Sequence, residues 1–211
     1  MKKLVLAIAA VLVMAVSANA QGGLASVLGK LGGSNSNSGS GSLVSSITDL
    51  ISGKSGLSTE TISGNWNYTG SAISFKSDDN ALSNIASSVA QGALEKKIDG
   101  YLQKVGISKG LFGFTFNEDG TMAIKYGSKS FPGTWTLDQK NATLNMKVAS
   151  LINMKGYVAV KGGQMELLFD VTTLMKLVKS LTSVYNNSTL QALNSVLNQY
   201  DQMYAGFKLT K

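Results

Sequence analysis

Residues 111–170 alternate apolar and polar side chains in short runs, and nearly every run ends on a turn signal. "LFGFTF" (111–116) places Phe112, Phe114 and Phe116 on one face, and "NEDG" (117–120) follows as a tight turn. "TMAIKYG" (121–127) then alternates through Met122, Ile124 and Tyr126. "FPGTWTL" (131–137), the turn "DQKN" (138–141) and "ATLNMKV" (142–148) read as a second hairpin. "NMKGYVAVK" (153–161) and "QMELLFD" (164–170) read as a third, around Gly162-Gly163. Strands joined by such short turns are antiparallel, and alternation means one buried face each. A long meander of this kind has two unpaired edges unless it closes on itself, so the pattern points to a barrel.

The flanking segments supply the rest of the ring. "GNWNYTGSAISF" (64–75) reads as a first strand, with Gly70 marking a bulge. Between 80 and 105 the period changes. Leu82, Ile85, Ala86, Val89, Ala93, Leu94, Ile98, Tyr101, Leu102 and Val105 recur at spacings of three and four, as in an amphipathic helix. Ser77, Asp78 or Asp79 is placed to cap its start, and Gly106 to end it in a left-handed conformation. Helical spacing returns in Leu174, Leu177, Val178, Leu181 and Val184. A second stripe follows Ser188: Leu190, Leu193, Val196, Leu197, Tyr200 and Met203, ended by Gly206. "FKLT" (207–210) is a short last strand, expected to pair with the first. The predicted fold is mainly β with helical insertions: an antiparallel up-and-down barrel of about eight strands, one long helix after the first strand and a helix pair before the last.

The amino-terminal portion has a different character. Met1-Lys2-Lys3, the apolar run Leu4–Val16 and Ala18-Asn19-Ala20 form a signal-peptide pattern over residues 1–20, predicting export with a mature start at Gln21. Residues 21–60 are Gly/Ser-rich, and "GGSNSNSGSGS" (32–42) is a flexible linker by composition. The folded domain is therefore expected over 61–211. No later run is long and apolar enough to span a membrane as a helix. The chain has no cysteine, which excludes a lipid anchor at the cleavage point, disulfides and thiolate metal sites. The exported product is thus expected in the periplasm as a free protein.

Gly64-Asn65-Trp66 resembles the Gly-x-Trp that opens the first strand of lipocalins. "GNWNYTGSAISFKSDDN" (64–80), "KIDGYLQKVGISKGLFGFTFNEDGTM" (97–122) and "GTWTLD" (133–138) together resemble an uncharacterised family of secreted lipocalin-like domains from Gram-negative gut bacteria. The resemblance covers residues 60–211 and implies the fold and the compartment, but no chemistry. It makes Trp66 a plug for the closed end of the barrel, and Gly133-Thr134-Trp135 a hairpin repeat rather than a second plug. The long helix and the helix pair depart from true lipocalins; they are placed to cover the barrel mouth or fill its lumen.

Composition argues against catalysis. There is no histidine, hence no usual general base near neutral pH. All 19 basic residues are lysines, spread along the chain, which disfavours nucleic-acid recognition. Asp78-Asp79 read as helix caps and Glu118-Asp119 as turn residues, while Glu166 and Asp170 share a strand face that reads as solvent-facing. No cofactor or metal site is expected. The candidate ligand-binding residues are the predicted barrel lining: Trp66, Phe112, Phe114, Phe116, Met122, Ile124, Tyr126, Trp135, Met146 and Met165, with Met154 beside them. Adaptable methionines and aromatics suit a small apolar or amphipathic ligand. The alternative is a filled barrel serving as a cell-envelope scaffold or protein-interaction module.

Overall fold

In the computed structural model the described residues are 56–76, 88–148, 152–182, 188–200 and 202–211. A one-turn helix α1 (Thr59–Ile62) leads into strand β1 (Gly64–Phe75), and helix α2 (Ser88–Lys104) follows. Six strands come next: β2 (Phe112–Phe116), β3 (Thr121–Tyr126), β4 (Lys129–Asp138), β5 (Thr143–Val148), β6 (Ile152–Lys161) and β7 (Gln164–Asp170). Helices α3 (Val171–Thr182) and α4 (Ser188–Leu197) precede strand β8 (Met203–Thr210). The strands form a closed barrel in sequence order, with every neighbouring pair antiparallel and β8 returning to pair with both β7 and β1.

Turn chemistry matches the predicted hairpins. Gly162 and Gly163 both take positive φ, 58° and 76°, as a two-residue turn between twisted strands requires. The β2–β3 turn is held by Asp119, whose carboxylate accepts from the Thr121 amide and hydroxyl. Those bonds hold the Asp119 carboxyl below its ordinary pKa. The bulge expected at Gly70 is a register shift between Tyr68 and Gly70.

Three expectations need correction. The helix stripe ending at Gly206 is too long: α4 stops at Leu197, and Met203 and Gly206 lie within β8. Gly206 is a close-packing glycine, since a Cβ there would overlap the Leu167 carbonyl of β7. Ala93 is exposed; the buried stripe of α2 is Leu94, Ile98 and Leu102, one residue every four. Glu166 is buried, at 2 % exposure, rather than solvent-facing. Packing also begins upstream of residue 61: Leu57 is buried and Ser58 makes a reciprocal capping box with Thr61. Ser77, Asp78, Asp79, Leu82, Ile85, Ala86 and Val184 lie outside the described residues.

Directly paired residues of neighbouring strands point to the same side, so the register assigns every side chain to the lumen or to the outer face. The outer faces differ around the ring. On β4 and β5, Thr134, Thr136, Asn145 and Lys147 are wholly or partly exposed. On the wall from β7 through β8 to β1, the outward Glu166, Leu168, Gly206, Ala72 and Ser74 are buried. Helix α3 packs on β7 and β8, α2 packs on β1, and α4 joins the two helices. Ile98 of α2, Leu177 of α3 and Leu193 of α4 belong to the same apolar core as the lumenal side chains.

Candidate functional site

All ten predicted lining residues lie on the lumenal side. Phe112, Phe114 and Phe116 pair with Tyr126, Ile124 and Met122, Trp135 pairs with Met146, and Met165 pairs with Leu209. Met154 joins them opposite Met146. Nine of the ten are 4 % exposed or less, and Tyr126 is half-buried at the rim.

Sequence reasoning missed the centre of this cluster. Phe207 of β8 is fully buried, and its ring centre lies 4.8 Å from Phe112, 5.8 Å from Phe114, 5.9 Å from Tyr68 and 6.1 Å from Phe169. It therefore ties β8 to β1, β2 and β7 across the lumen. The alternation Phe207–Leu209 was the available signal, but only ring closure shows which strands it faces. Leu144, Leu167, Phe169 and Ala205, also lumenal by register, are each 0 % exposed. Side chains this inaccessible leave no ligand-sized void against them.

One end is closed by two tryptophans. Trp66 donates from Nε1 to the Ile62 carbonyl of α1 at 2.7 Å, and the Lys211 ammonium lies 5.0 Å from its ring centre. Trp135 was expected in the lining as part of a hairpin repeat. The structure places it inward beside Phe116, ring centres 5.4 Å apart, donating from Nε1 to the Asn117 carbonyl in the β2–β3 turn at 2.9 Å. Both indoles thus bury their rings while satisfying their single donor.

Helix α2 closes the opposite part of the wall. β1 pairs with β2 only over Gly64–Asn67, so its edge beyond Asn67 needs other partners. Gln91 donates to the Ile73 carbonyl at 3.2 Å, and Glu95 accepts from the Ile73 amide at 3.4 Å. The Ser71 hydroxyl donates to the Glu95 carbonyl at 2.5 Å, and Lys208 pairs with the Glu95 carboxylate at 2.7 Å. Tyr68 reaches from the lumenal side to donate to Asp99 at 2.6 Å. Burial, then the Asp99 hydrogen bond and charge, push the Tyr68 phenol far above its ordinary pKa.

Of the carboxylates suspected on sequence, Asp119 is tied to Thr121 and Asp170 to Thr173, while Asp78 and Asp79 lie outside the described residues. Asp170 accepts from the Thr173 amide and hydroxyl at the start of α3. Asp138 accepts from Asn141 in its turn, which lowers its carboxyl pKa. Among the described residues no cluster of three metal-ligating side chains occurs.

A groove of about 560 Å³ lies on the bare outer face of β4, β5 and β6, bordered by Thr173 of α3. The pairing register lays its side chains out in two rows, Thr134–Lys147–Asn153 and Thr136–Asn145–Lys155. Trp135, Met146 and Met154 also border it, although their side chains face the lumen.

An eight-stranded antiparallel closed ring with a tryptophan at the start of its first strand defines a lipocalin-like barrel. The chain belongs to the lipocalin-like domain family DUF4923, whose family model matches residues 36–211. No curated protein matches it significantly. Among solved structures, it is similar to a DUF4847 family protein from Bacteroides vulgatus ATCC 8482. That likeness has 15 % identity and a TM-score of 0.35, covering 72 % of this chain and 96 % of the other. No helix among the described residues is long and apolar enough to cross a membrane.

Proposed function

We propose that this chain is an exported, non-catalytic barrel that acts through its outer surface as a cell-envelope binding or scaffold module. The observation that carries the reading is the interior itself: every strand contributes at least one lumenal side chain that is almost inaccessible even to water, Phe207 at their centre. A ligand in the lumen would have to displace Phe207 and the rings around it, forfeiting several kcal/mol of packing. The signal-peptide pattern of residues 1–20 supports export, and the absence of cysteine supports a free rather than lipidated product. The absence of histidine, together with the turn and cap duties of Asp119, Asp138 and Asp170, supports a non-catalytic role.

The test is a titration of residues 21–211 with cis-parinaric acid, a fluorescent fatty acid, followed by its emission and by quenching of Trp66 and Trp135. The expected result is no saturable signal at micromolar concentrations. Saturable one-to-one binding that also raises the melting temperature would overturn the proposal and restore a lumenal carrier.

A further inference from the structure

We infer that the groove on the outer face of β4–β6 is a binding site for an acidic oligosaccharide, a hydroxyl-rich chain bearing carboxylate or sulfate groups. The inference rests on the reading that this barrel works from its outer surface. The groove's two rows contain two threonine hydroxyls, two asparagine amides and two lysine ammoniums, with no outward apolar side chain in either row. Hydroxyls and amides each both donate and accept, which matches the hydroxyls of a sugar. The volume of about 560 Å³ falls within the range of small-ligand sites, roughly 300–1,000 Å³.

The lysines decide the charge of the ligand. Lys147 and Lys155 stand on neighbouring strands in adjacent rows, a diagonal separated by roughly 7–8 Å between their backbones. Among the described residues neither ammonium has a hydrogen bond or ion pair, whereas Lys208 and Lys125 have partners. The nearby carboxylates already have partners: Asp138 accepts from Asn141, and Asp170 accepts from Thr173 at the groove's edge. The charge of Lys155 does reach Asp138, but as the smallest of the influences on that carboxyl. Two cations without a contact partner beside this groove favour an anion. Lysine acts as a point charge, without the bidentate fork that would select one anion geometry, so carboxylate and sulfate both fit. The rows carry no aromatic side chain on which a neutral sugar could stack.

The experiment is isothermal titration of residues 21–211 at low salt with three probes: a trigalacturonate, a heparin-derived tetrasaccharide and neutral maltotriose. Binding of either acidic probe and not of maltotriose is expected, and which acid binds separates carboxylate from sulfate recognition. Lys147→Gln/Lys155→Gln is expected to weaken that binding at least tenfold with an unchanged melting temperature. Thr136→Val, which keeps the charge, is expected to weaken it about threefold, tying recognition to the hydroxyl row. Failure of both acidic probes, equal binding of maltotriose, or binding indifferent to the lysine pair would each overturn the inference. None of these results depends on the lumen, so the parinaric acid titration fails or succeeds separately.

Discussion

Replacing Phe207 by alanine tests whether the interior is filled. The ring is fully buried and touches four others, carried on β1, β2 and β7. Phe→Ala substitutions in cores cost about 3–5 kcal/mol, with the larger losses where neighbours cannot relax into the space. Here the neighbours are anchored on separate strands of a closed ring, so collapse is hindered and the expected loss is about 4 kcal/mol. Domains of this kind are stable by roughly 5–15 kcal/mol, so the variant should still fold. Urea unfolding followed by tryptophan fluorescence reads the loss as a midpoint shift of about 2 M at an m-value near 2 kcal/mol/M. The hole left behind is apolar and dry, and benzene should enter it and recover part of the lost stability, as it should not in the parent. Leu111→Ala, at an exposed position, is the control and should change stability by less than about 0.5 kcal/mol. A loss below about 1.5 kcal/mol at Phe207 with an unchanged m-value, or equal benzene stabilisation of the parent, would refute the packed interior.

Other perturbations probe the closures. Trp66→Phe removes the donor to the Ile62 carbonyl and should cost about 1–3 kcal/mol by urea unfolding, with Trp135 left to report the transition. Gly206→Ala forces a methyl into the Leu167 carbonyl and should cost more than about 3 kcal/mol, read as loss of soluble protein or of the cooperative transition. The raised pKa of Tyr68 has an alkaline signature. Its phenol stays neutral in the fold but ionises in the unfolded chain above its ordinary value of 10.0, so stability is full below pH 10 and falls as pH rises beyond it. Tyr68→Phe should lower the urea midpoint at pH 7, through the lost bond to Asp99, and flatten the decline between about pH 10 and 11. An equally steep alkaline decline in the variant would assign the effect to other tyrosines.

The ring of strands was legible because a strand's side-chain period and the glycines of its turns are local properties. Phe112–Phe116, Met122–Tyr126 and Gly162-Gly163 announce strands and turns without reference to distant residues. The same local rule assigned all ten lining residues to the lumen. It failed where a distant element changed the meaning of a residue. Glu166 alternates like a solvent-facing residue but stands on the wall that the helices cover, opposite Lys208. Gly206 has the form of a helix terminator, yet it allows β8 to approach the Leu167 carbonyl of β7. Trp135 faces inward by alternation, but that its indole donates to the Asn117 carbonyl of the β2–β3 turn could not be read locally. The order of the elements and the inward face of each strand of the meander were readable from the residues alone, because these follow from near-neighbour geometry. That Phe207, Phe169 and Leu144 bury one another while the β4–β6 outer face stays bare emerges only in the closed ring, because burial depends on how side chains from strands far apart in sequence meet.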